Sequence, residues 1–86
     1  GLQLEAYPNP ARGLTTFTLT LDRTQPVSLA LFNGTGQQVA EVLPAGSVLG
    51  AGTHRLAYQT ERLPAGLYCY TVRTATGSAT RQLLVQ

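Results

Sequence analysis

Apolar and polar residues alternate along most of the chain, and no stretch holds a 3.6-residue repeat over three turns, so the pattern predicts strands throughout. Leu2 and Leu4 alternate toward Tyr7, where Pro8 and Pro10 remove backbone donors and restrict Tyr7 and Asn9 to extended conformations. The first strand ends or changes partner there. Phe17, Leu19 and Leu21 share one face against Thr16, Thr18 and Thr20 on the other, the mark of a half-buried strand. Val27, Leu29 and Leu31 repeat the alternation behind Pro26. Asn33-Gly34-Thr35-Gly36 follows at once, and Asn-Gly after an alternating run is a strong hairpin signal. In the returning strand, the three-residue spacing of Val39 and Val42 requires either a bulge or a change of face.

Residues 43–52 are rich in Gly, Pro and Ala and predict a long connection from one sheet to another. His54, Leu56 and Tyr58 alternate next, and the turn Leu63-Pro64-Ala65-Gly66 leads into the strongest strand, residues 67–74, in which Tyr68, Tyr70 and Val72 point one way. A second hairpin turn, Ala75-Thr76-Gly77-Ser78, precedes a closing strand at residues 79–85. Because Leu83, Leu84 and Val85 are all apolar, either parity of that strand can face inward. About seven short strands with turn signals every 8 to 12 residues predict an all-β fold, a two-sheet antiparallel β-sandwich with an immunoglobulin-like plan. Residues 1–86 are read as a single domain. Gly66-Leu67-Tyr68 is similar to the tyrosine corner of such sandwiches, in which the phenol bonds back to the preceding connection.

Composition narrows the functions such a sandwich can carry. The chain is 43% hydrophobic and 12% charged, a balance that folds rather than staying disordered. No apolar run approaches the roughly 18 to 20 residues of a membrane helix, and no segment reads as a signal peptide. The start at Gly1 and the absence of Met predict a piece cut from a longer polypeptide, and the apolar run before Gln86 predicts a natural C-terminus. The net charge of +2 comes from six Arg spread along the chain, whereas a nucleic-acid site would cluster them. The one cysteine, Cys69, rules out an internal disulfide, and its neighbours Tyr68 and Tyr70 make it a small semi-buried strand residue. No Cys, Asp or Glu stands at a metal-ligand spacing from His54, the single histidine, so neither a metal nor a cofactor is expected. A Cys69 and His54 pair would be a nucleophile and base only if the fold brought them together. No Gly-x-Ser-x-Gly or phosphate-cradling loop accompanies them, and the chain reads as no enzyme. Asn33-Gly34-Thr35 also fits the glycosylation pattern, but the turn accounts for it.

Four segments, Tyr7-Pro8-Asn9-Pro10-Ala11, Gly52-Thr53-His54, Leu63-Pro64-Ala65-Gly66-Leu67-Tyr68 and Arg81-Gln82-Leu83-Leu84-Val85-Gln86, stand in the order found in one known family. Together they resemble the type A C-terminal sorting domain of the type IX (Por) secretion system of Bacteroidota. The resemblance covers essentially the whole chain. It implies a non-catalytic secretion signal at the end of a cargo protein that passes through the periplasm toward the cell surface or the medium. Its implied partners are the outer-membrane type IX translocon and a sortase-like cysteine peptidase, which removes the domain and can join the cargo to anionic lipopolysaccharide. Recognition carries over to Gly66, Tyr68, Arg81, Leu83, Leu84 and Val85, whereas Pro8, Asn9 and Pro10 shape the first turn, as Asn33 and Gly34 shape the hairpin. The last strand departs from the family, which usually has Lys where this chain has Arg81 and Gln82; Arg81 keeps the charge but differs in hydration and hydrogen-bond geometry.

Fold never fixes function alone. An immunoglobulin-like adhesive or carbohydrate-binding module is the alternative and would need exposed aromatics, of which four Tyr and two Phe supply few. A structural spacer is the other, with more chain expected after Gln86. For the sorting reading, a terminal strand, first or last, is expected to offer its open edge to the translocon.

Overall fold

The computed structural model describes residues 2–86. It contains eight strands: β1 (Gln3–Tyr7), β2 (Leu14–Leu21), β3 (Gln25–Phe32), β4 (Gln38–Leu43), β5 (Val48–Leu49), β6 (Gly52–Gln59), β7 (Gly66–Thr74) and β8 (Gly77–Val85). One sheet runs β1-β2-β6 and the other β4-β3-β7-β8, with β5 beside the start of β3; every strand pairing is antiparallel. Lettered in chain order, these are the A-B-E and C′-C-F-G sheets of an immunoglobulin-like sandwich without a D strand.

The alternation along each strand sorts side chains between core and water. Phe17, Leu19 and Leu21 of β2 face Val27, Leu29 and Leu31 of β3 and Tyr68, Tyr70 and Val72 of β7, and all nine are buried. Rings from the two sheets meet at the centre, Phe17 against Tyr70 with centroids 5.0 Å apart and tilted by 59°. In β8 the odd positions turn inward: Leu83 and Val85 are buried, Ala79 packs half-buried against them, and Leu84 faces outward. Either parity was open to an Leu-Leu-Val run, and the register with β7 settles it by setting Leu83 opposite Tyr68 and Val85 opposite Gly66.

The connection over residues 43–52 does cross between sheets, but it first lays Val48 and Leu49 against Pro26 and Gln25, which makes an eighth, two-residue strand. The irregular spacing in β4 resolves as two bulges: the register passes from Leu29–Leu43 to Ala30–Glu41 and from Leu31–Ala40 to Phe32–Gln38, leaving Val42 and Val39 as the extra residues.

Strand direction fixes two poles. The upper pole gathers the start of β1, the β2–β3 turn, residues 50–52 and the β7–β8 hairpin. The lower pole gathers residues 8–13, the β3–β4 turn, residues 60–65 and the end of β8.

Candidate functional site

At the lower pole three of the four resemblance segments meet, those at residues 7–11, 63–68 and 81–86; the fourth, Gly52-Thr53-His54, lies at the upper pole. After β1 ends at Tyr7, the chain leaves the smaller sheet and crosses to the outer edge of β8. The bonds from Tyr7 to Pro8 and from Asn9 to Pro10 are cis. Asn9 then acts as a strand without being one. Its side-chain Nδ2 donates to the Gln82 carbonyl at 3.0 Å, and its Oδ1 accepts from the Leu84 N–H at 3.1 Å. Ala11 continues the ladder as a parallel bridge to Val85, its N–H donating to the Leu84 carbonyl at 2.7 Å and its carbonyl accepting from the Gln86 N–H at 2.9 Å. These four hydrogen bonds staple the entering segment to the last strand. The edge of β8 that was expected to offer itself to a partner is therefore occupied over residues 82–86 by the chain's own Asn9 and Ala11.

Buried threonines hold the rest of the pole. Thr15 Oγ1 donates to the Pro8 carbonyl at 2.9 Å, and Gly13, at a φ of 76°, turns its carbonyl to accept from both Thr60 N–H and Thr60 Oγ1 at 3.0 and 2.6 Å. Tyr68 donates its hydroxyl to the Pro64 carbonyl at 2.6 Å, the tyrosine-corner bond back into the preceding connection. The hairpin beyond β3 is closed by Asn33, whose Oδ1 accepts from Thr35 N–H, Thr35 Oγ1 and Gln37 N–H. Gly36, at a φ of 84°, takes the left-handed position, and Gly34 does not.

The six residues assigned to recognition divide by burial. Tyr68, Leu83 and Val85 lie inside the core. Gly66 opens β7 opposite Val85. Arg81 and Leu84 reach solvent, Leu84 beside its cross-strand neighbour Leu67, which is 52% exposed. Tyr7, Leu14 and Val39 are further large apolar side chains exposed near the lower pole, Tyr7 at the last position of β1 and Leu14 at the first of β2, each on its strand's outward parity.

Arg81 is exposed on β8. Tyr70 is its partner in the register, and burial pushes the Tyr70 phenol above its ordinary value of 10.0; Arg81 draws it down, Glu5 raises it and a backbone hydrogen bond at Ala6 lowers it.

The arrangement assembles no nucleophile and base. Cys69 belongs to the outward parity of β7, opposite Phe32 and Gln82, while His54 lies on the inward face of the other sheet and its Nε2 bonds the Gly50 carbonyl at 2.7 Å. Among the described residues no three metal-ligating side chains gather, and no helix is long and apolar enough to cross a membrane.

Residues 5–86 match a family described as the secretion system C-terminal sorting domain. No curated protein matches the chain.

Proposed function

This chain belongs to the family of secretion-system C-terminal sorting domains, and from that premise we propose that it is the non-catalytic handle by which the outer-membrane type IX translocon takes hold of a cargo protein. The cargo passes from the periplasm to the cell surface or the medium, and a sortase-like cysteine peptidase then cuts the handle away.

The observation that carries this reading is the convergence at the lower pole. Segments some seventy residues apart in sequence, Asn9 and residues 82–84, are tied by side-chain and backbone bonds into one end of the sandwich. Structural economy alone does not call for that, since β8 already pairs with β7 over nine residues. The staple presents Leu84 and Leu67 on a rigid outer face with Arg81 further along the same strand, and rigid elements display a recognition surface better than loops do.

The adhesive alternative needs aromatic platforms. Phe17, Tyr68 and Tyr70 are buried, and Tyr7 is the one aromatic side chain among the strongly exposed residues, which leaves no row of rings on which a sugar could stack.

The test fuses residues 1–86 to a secreted fluorescent protein in a type IX competent host and in a translocon-deficient strain. Surface or medium fluorescence is expected in the competent strain alone. Equal fluorescence from both strains, or none from either, would remove the sorting function.

A further inference from the structure

The smaller sheet is one strand short on a defined side. Packing of β1 against β8 places those two edges together, so β6, the opposite edge of its sheet, lies on the side of β4. β6 pairs with β2 over its full eight residues. Among the described residues, no backbone hydrogen bond from another segment reaches residues 53–59 on the other side. In an antiparallel pair, alternate residues turn both N–H and C=O away from the neighbour, so a row of unpartnered polar groups lines this edge.

Every other edge is blunted. Asn9 and Ala11 cover the edge of β8 over residues 82–86, two bulges break β4, and β1 has five residues and stops at Pro8. Natural sandwiches protect long regular edges in such ways. β6 has no bulge in its register and no proline, and Arg55 is its one charged residue besides the single histidine.

The side chains point the same way as the backbone. The inward residues of β6, His54, Leu56 and Tyr58, stay half-buried, whereas their neighbours Phe17 and Leu19 on β2 are fully buried. Ala40, Val42 and Leu43 of β4 are also only half-buried against the core. One added strand would satisfy the open backbone and cover both sets.

We propose that the outer edge of β6 receives an extended segment of the export machinery by strand addition, a site that rests on the sorting function above. The occupant is apolar at alternate positions, to pack on Leu56 and Tyr58, and acidic near its middle. The acid is called for by Arg55, exposed at the centre of the strand with Thr18 between it and Glu5 in the cross-strand row, on a chain of net charge +2. A second copy of the chain brings the same positive charge and the same arginine, so it complements this edge less well.

The experiment substitutes proline singly at residues 53–58 and makes Arg55→Glu and Arg55→Lys, all in the fluorescent fusion. Proline at an N–H facing β2 breaks the ladder, whereas at the alternate positions it removes only an outward donor; circular dichroism melts sort the two sets. Prolines that leave the melt unchanged, and Arg55→Glu, are expected to lose export by about tenfold or more, the effect of one or two lost hydrogen bonds. Arg55→Lys is expected to retain most of it. Export of the folded prolines at the parent level overturns strand addition while leaving the sorting function intact, as does a parent chain that sediments as a dimer dissociated by those prolines. A parent fusion that is never exported overturns both.

Discussion

Asn9 does at the residue scale what a strand does at the scale of a sheet: one carboxamide supplies a donor and an acceptor in the spacing of a ladder, to Gln82 and Leu84. Asn9→Ala removes both bonds and is expected to cost about 1–3 kcal/mol, at roughly 0.5–1.5 kcal/mol for each bond. Urea denaturation measures it, and an unchanged midpoint would mean that water replaces the amide without loss. Tyr70 gives a second expectation, with its sign set by burial. Its phenol ionises at a higher pH in the folded chain than in the unfolded one, so the folded state holds the proton more tightly. The stability this contributes is complete below about pH 10 and is lost as pH rises from there through the folded value. Thermal melts between pH 8 and 11 are expected to fall along that limb, and Tyr70→Phe should flatten it. A limb equally steep in the variant would assign the loss to other groups.

At the scale of the element, β8 shows how parity divides a strand's work. Leu83 is fully buried opposite Tyr68, while Leu84 is 39% exposed and faces outward beside Leu67. Leu83→Ala is expected to cost about 2–5 kcal/mol by leaving a cavity. Leu84→Ala is expected to cost well under that in a melt, yet to weaken export of a fused reporter. A Leu84→Ala fusion exported like its parent would take the outer face of β8 out of recognition. The apolar run at residues 83–85 could not reveal this division, because three consecutive apolar residues satisfy either parity and only pairing with β7 decides. Where alternation was strict, as at Phe17, Leu19 and Leu21 or at Val27, Leu29 and Leu31, the buried face could be read directly from spacing. In β4 the spacing of Val39 and Val42 marked an irregularity, and the register shows it twice. The staple had no periodic signal at all. It depends on a side chain acting across some seventy residues, and Pro8 and Pro10 announced only that the first strand could not continue.

At the scale of the whole molecule, the two sheets are unequal, and the inequality separates two surfaces. The last part of β8 is covered by the chain's own entering segment, and the side of β6 is open in backbone and half-covered in side chains. The one cysteine and the one histidine are kept apart by the same layering. Cys69 lies outside one sheet and His54 inside the other, so the sandwich that buries Tyr68 and Tyr70 also keeps these two apart.

Leu2 lies at one pole and Gln86 at the other, and the segment around Ala11 runs parallel to the end of β8. When a chain with this geometry is pulled by its two ends, the tension runs along the strands, and the four bonds of Asn9 and Ala11 are loaded in shear, all at once, instead of opening one after another like a zipper. The staple is thus expected to resist traction along the strands. Single-molecule stretching should record a peak rupture force that drops in Asn9→Ala by more than its equilibrium stability would suggest, and a proportionate drop would deny the staple any role as a mechanical clamp.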